Sequence, residues 1–255
     1  MRNFIIKYSE YIITINLFII NIILVGIFKF NFVILNLVHF IVLIIVKYII
    51  YLPYDKLEID SIKKCDFKKC IDEFKKLTNI LTSEYIKNTY LIRISLYKNI
   101  INPTNRNIES YINLISKKNV LTQKQQISYD AEMLLICLLL EKKEESDFLW
   151  SRISKNNKSN NKMTNLIFNR TNIIFNLFNN NLDNIENDMN KHFVLNEQSN
   201  NLYQEIKRNF LLGVYYYKNT NYDEARNKFE NIITKNKEIF LVTKSKEFIK
   251  NIDNL

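Results

Sequence analysis

From residue 65 to residue 252 the apolar side chains return every three or four positions, the spacing that places them on one face of an α-helix. The intervals predict helices at residues 65–80, 83–101, 106–118, 126–142, 145–156, 162–178, 182–194, 199–219, 222–236 and 239–252. The breaks between them carry the right punctuation: NPTNR at 102–106, KKEES at 142–146, KNNKSNNK at 155–162, FNNN at 178–181 and NTN at 219–221. None is long enough for a flexible linker, so residues 53–255 form one continuous unit. Glycine and proline number only two each in 255 residues. A sandwich or barrel needs many tight turns, so that composition argues against a β fold and the chain reads as all-α.

Ahead of this unit stand two almost wholly apolar runs. Residues 11–28 read YIITINLFIINIILVGIF and residues 32–52 read FVILNLVHFIVLIIVKYIIYL. Each approaches the ~20 residues that a helix needs to cross a hydrocarbon core. There is no A-x-A-like cleavage site, and a second apolar run follows at once, so the first is not a cleaved signal. The three residues between them force an antiparallel transmembrane hairpin over residues 1–52, which Pro53 is expected to close. Lysine and arginine gather before and after the pair (Arg2, Lys7, Lys47, Lys56, Lys63, Lys64, Lys68, Lys69), with only Lys29 in the turn. That bias places a two-helix protein in the cell membrane with both termini cytoplasmic. Asn21 and His39 fall at equal depth, ~13 Å from the turn. Two readings stand there: an interhelical polar contact, or a proton relay or metal ligand.

The stretch LGVYYYKNTNYDEARNKF (residues 212–229) holds one of the two glycines and one of the two alanines of the chain. Leu212, Gly213 and Tyr216, followed by Tyr222, Ala225 and Phe229, resemble the tetratricopeptide repeat pattern. In that family two antiparallel helices cross closely at small residues, with large ones filling the space between. Asn209 and Lys237 depart from the usual aromatic and proline. The second-helix signature recurs as Phe67, Cys70 and Phe74, and more loosely as Ile108/Tyr111/Ile115 and Leu182/Ile185/Met189. A further copy, Phe148/Ser151, meets Lys155 where an apolar group belongs. The resemblance implies an α-solenoid of about five helix pairs, capped by the last helix, with Tyr216 turned into the core. It also implies a peptide groove on the first helices, here Lys207, Phe210, Val214, Tyr217 and Lys218. The family's carboxylate-clamping variant has Lys and Asn where this chain has Phe210 and Val214, so an acidic and hydrophobic peptide is the expected guest. Packing of these residues on a neighbouring repeat remains the other reading.

Catalytic constellations are nearly missing. His39 and His192 are the only histidines, and glycine at 26 and 213 alone permits no phosphate loop. His192 follows a polar run and reads as a surface helix residue. Cys65 and Cys70 lie about 140° apart around a helix, so they do not converge on a metal. Three cysteines (the third is Cys137) suggest free thiols in a reducing compartment. Pairs such as Asp72/Glu73 and Glu144/Glu145 read as solvated faces. The net charge of +10 is scattered among acids rather than gathered in a block, which favours acidic proteins or lipid over nucleic acid. The chain is therefore expected to be no enzyme and to need no cofactor. Its expected role is a membrane-anchored, cytosol-facing scaffold or adaptor for protein binding. The alternative is an accessory subunit of a membrane transport, secretion or immunity complex, with the hairpin as the functional contact.

Overall fold

The structure is a computed structural model that describes residues 32–117, 120–155, 162–193 and 201–255, with Ile19 and Ile23. Among the described residues there are eleven α-helices and no strand. They are α1 (Phe32–Lys64), α2 (Phe67–Ile80), α3 (Glu84–Ile101), α4 (Asn105–Lys117), α5 (Gln123–Leu139), α6 (Lys143–Lys155), α7 (Lys162–Phe178), α8 (Ile185–His192), α9 (Leu202–Lys218), α10 (Tyr222–Thr234) and α11 (Phe240–Asp253).

Helix starts follow the polar breaks. Asp66, Asn201 and Asn221 accept from the amide three residues on, and Thr122 and Gln125 form a reciprocal capping box. Reversing the chain without glycine falls to other residues. Cys65, Glu141, Asn180, Asn184, Thr220 and Asn236 all take positive φ at helix ends. Asparagine tolerates that conformation best after glycine, so the asparagine-rich breaks have a physical use.

The first helix corrects the expectation at Pro53, because α1 runs through it for 33 residues. Proline there has no N–H for the carbonyl of residue 49 and crowds it, at a cost of about 3 kcal/mol. Packing downstream outweighs that cost. Tyr51 and Tyr54 meet the Tyr90 ring at 6.5 and 6.4 Å, Ser61 is buried, and Glu58 reaches Arg93. Residues 54–64 thereby supply a first helix for the pair completed by α2, a segment for which the periodicity predicted no helix. The boundary drawn at 52/53 falls inside α1.

Residues 1–31, apart from Ile19 and Ile23, lie outside the described residues, so the hairpin, its turn, Asn21 and the placement of the N-terminus do too. Between 32 and 50 the helical backbone is described, with the side chains of Leu37, Val38, Phe40 and Ile41 but not that of His39. Among the described residues no helix is long and apolar enough to cross a membrane.

The helices pack in consecutive pairs, α1 with α2, α3 with α4, α5 with α6, α7 with α8 and α9 with α10, and α11 covers the last pair. Short connections make each pair antiparallel. The row then turns back on itself, for α9 also packs on α1 and α11 on α3. Phe67 and Tyr203 meet edge to face at 5.3 Å across that closure, and Lys68 pairs with Glu238 at its surface.

Within the pairs most signature positions are interior. Phe67, Cys70, Phe74, Ile108, Tyr111, Ile115, Ile185, Met189, Leu212, Ala225 and Phe229 are buried, while Leu182 and Tyr222 are partly so. Gly213 lies against the Phe229 ring so closely that a Cβ would sit 2.7 Å from its Cε1. The expected copy at Phe148/Ser151/Lys155 is out of register. Ser151 and Lys155 are exposed, and α6 buries Ser146, Leu149 and Ile153 instead, the same spacing two residues earlier. The helical face, which Leu149 and Ile153 define, overrides the local likeness.

Candidate functional site

A cavity of about 220 Å³ opens where the row closes. Most of its wall comes from the first helices of the pairs: Ile62 on α1, Leu96, Tyr97 and Ile100 on α3, Tyr129, Ala131 and Glu132 on α5, Ile174 and Arg170 on α7, and Tyr203 and Lys207 on α9. Successive first helices face the inside of the turn, so the turn gathers residues from across more than half the chain.

Glu132 organises its polar side. The Lys207 ammonium donates to Oε1 at 2.7 Å and the Tyr203 hydroxyl to Oε2 at 2.9 Å. Lys207 and Tyr203 are buried, so the carboxylate links α5 to α9 with both oxygens engaged. Burial pushes the Tyr203 hydroxyl well above its ordinary pKa, and Glu132 adds to the rise. Across the cavity Arg170 donates through Nε to the His192 carbonyl at 2.6 Å, with its guanidinium 5.2 Å from the Phe193 ring centre. No carboxylate pairs with Arg170 among the described residues, and its burial lowers the pKa despite Glu132 nearby.

Two further carboxylates brace the walls, Glu58 largely buried and Asp130 fully so. Glu58 and Asp55 on α1 receive Arg93 Nη1 at 2.8 and 3.2 Å, and Tyr97 also donates to Glu58. Desolvation raises the Glu58 pKa against the opposing pull of Arg93 and Tyr97. Asp130 accepts from Arg152 Nε and from the Tyr111 hydroxyl, each at 3.0 Å. Its pKa is likewise raised, chiefly by burial. These contacts join α1 to α3, and α4 and α6 to α5, although the Arg93 Nε is buried without a partner among the described residues.

Of the five groove residues only Lys207 lines the cavity. Phe210 and Val214 are buried in the core, Phe210 against Phe229 and Phe248. Tyr217 packs on Tyr222 and Phe248, while Lys218 bonds Asn180 at 2.5 Å and covers Phe178. Phe210 and Val214 thus face the interior, while Tyr217 and Lys218 are half-buried at its margin. Tyr216 packs half-buried against the core, and its hydroxyl donates to Glu186 Oε1 on α8 at 2.6 Å. Cys65, Cys70 and Cys137 are buried free thiols, each pushed up to about 12 by desolvation. No group of three potential metal ligands occurs among the described residues.

Arg170, Glu132 and Tyr203 escaped the sequence reading. A lone Arg or Glu on an amphipathic helix reads as solvated, and only the closure of the row makes these residues internal. Compared with protein-family models, with curated proteins and with solved structures, the chain matches none.

Proposed function

We propose that this chain is a membrane-anchored, helical-repeat scaffold that holds a partner-binding domain at a lipid surface. The observation that carries the reading is α1. Its N-terminal part leaves Leu37 61% and Phe40 64% exposed, with Val38 and Ile41 open beside them. Side chains at 37, 38, 40 and 41 spread over more than a third of the helix circumference. An apolar helix so uncovered needs lipid or another apolar surface. The same helix enters the repeat domain without interruption and is fixed there by Tyr54, Glu58 and Ser61. The resemblance to tetratricopeptide repeats supports protein binding as the task of that domain, and buried, fully paired acids favour a scaffold over an enzyme.

The test is alkaline extraction of membranes from cells expressing the full chain. The parent stays in the pellet, and a variant with Leu37, Phe40 and Ile41 all changed to Lys shifts to the supernatant with its far-UV helix signal retained. A parent recovered in the supernatant would sink the reading. Crosslinked partners from native membranes are then compared between residues 51–255 and residues 1–50 fused to an inert domain. The cut precedes Tyr51, because a fragment starting at 53 would lose the Tyr51–Tyr90 contact. Recovery by the first fragment alone supports the scaffold, and recovery by the second alone assigns the contact to the apolar segment.

A further inference from the structure

We propose that the cavity at the closure of the helical row is a binding site for a small amphipathic monocarboxylate, an apolar body carrying one carboxylate that pairs with Arg170. This goes beyond the scaffold reading and does not depend on it. Three observations carry it. First, the space is real and its floor is apolar. Leu96, Ile100, Ile174 and Phe193 contribute wall over about 220 Å³, more than the roughly 150 Å³ apolar cavity that admits benzene.

Second, the charges that line it do not cancel. Lys207 and Arg170 stand against the single carboxylate of Glu132, and that carboxylate already receives Lys207 and Tyr203. Arg170 keeps the excess positive charge in a partly buried place, where an unpaired cation is unfavourable and a charge-assisted pair is strong. Only its Nε is engaged, by the His192 carbonyl, so among the described residues its two terminal nitrogens donate to nothing. A neutral guest would leave that charge uncompensated, and a dianion would overshoot it.

Third, the site has a way in and a fixed shape. Arg170 is partly exposed, while Lys207, Tyr203 and Ala131 are buried and held by helix packing. An anion entering past Arg170 finds a preformed recess and displaces no internal ion pair. Preorganised pockets of this kind, apolar with a few placed polar groups, are the common form of small-molecule site.

The experiment titrates phenylacetate and its neutral isostere phenylacetamide into the full chain in zwitterionic lipid discs, by calorimetry with empty discs subtracted. The acid is expected to bind at least about tenfold tighter than the amide, the weight of one charge-assisted hydrogen bond. Arg170→Met should erase that preference. Ala131→Leu, which fills the recess without touching a charge, should weaken acid and amide together by tenfold or more. Thermal unfolding of each variant checks that it folds, and if Arg170→Met does not, the acid/amide ratio in the parent and the Ala131→Leu result decide. Equal affinity for acid and amide, a preference that survives Arg170→Met, undiminished binding in Ala131→Leu, or no saturable binding of either probe would each overturn the proposal.

Discussion

Enlarging Gly213 is the sharpest probe of how the last helix pair is built. A Cβ placed on its backbone meets three atoms of one ring, Phe229 Cε1 at 2.7 Å, Cζ at 2.9 Å and Cδ1 at 3.0 Å. The ring has little room to withdraw. It is fully buried, stacked on Phe248 at 4.9 Å with 10° between planes, and flanked by Phe210 at 5.8 Å. Alanine gains about 1 kcal/mol of helix propensity over glycine, while forcing extra atoms into a filled core costs about 1–3 kcal/mol. Gly213→Ala is therefore expected to destabilise by about 1 kcal/mol net, and Gly213→Leu by about 3 kcal/mol or more. In a chain of this size those losses correspond to about 2–4 °C and at least about 6–12 °C in Tm. The assay is thermal unfolding by far-UV circular dichroism, with limited proteolysis to place the damage at α9–α11. Membrane attachment, which the proposed function assigns to α1, should be unchanged. Phe229→Leu removes the clashing ring edge, so Gly213→Ala should cost less in that background than in the parent. If Gly213→Leu melted like the parent, or if the alanine cost were the same with and without the ring, the close crossing of α9 and α10 would not be what holds this end together.

Arg93→Met should cost about 3–5 kcal/mol in thermal or denaturant unfolding, because it leaves Glu58 buried without its cation. Glu58 and Asp130 both have raised pKa values, so each folded acid keeps a proton that the unfolded chain has already released. Each therefore contributes stability that falls as pH rises from the ordinary carboxylate range through its raised value. Glu58→Gln should remove its share of that slope, measured as Tm against pH from 4.5 upward, and an unaltered slope would contradict the assignment. The three thiols should resist an alkylating reagent at pH 8 in the folded protein and react only on unfolding, since each is buried with its pKa near 12. Lys68→Ala should leave the melting temperature close to the parent's, its pair with Glu238 being 65% and 76% exposed. Phe67→Ala, on the apolar side of the same closure, should cost about 3–5 kcal/mol.

The sequence discloses what is local. Apolar spacing of three and four marks every helix from α2 onward, because burial against a neighbouring helix demands one apolar stripe per helix. The pairing of Gly213 with a bulky partner was legible because a scarce small residue on an apolar face has few other uses. Residues 54–64 stayed hidden because Pro53 ordinarily ends a helix, and what carries α1 past it is tertiary: Glu58 has its partner 35 residues away on α3. The α6 register slipped because Phe148 and Ser151 imitate the repeat signature, while the true interior face begins two residues earlier. The cavity was beyond reach for the same physical reason on a larger scale. Glu132 and Lys207 are 75 residues apart, and each alone sits on its helix like any solvated charge.

The closure also sets a timetable. Lys68 and Glu238 are separated by 170 residues, and the apolar contact of Phe67 with Tyr203 spans about four-fifths as much chain. At about 5–20 residues per second, a ribosome needs roughly 10–30 s to supply the second half of that joint after the first has emerged. For that interval α1 and α2 stand with the face meant for α9 still bare, and contacts that join distant parts of a chain are the slow ones to form. The first pair of helices must therefore spend its youth half-dressed, so a chain stalled before α9 should be cut by protease near Phe67 while the finished protein is not.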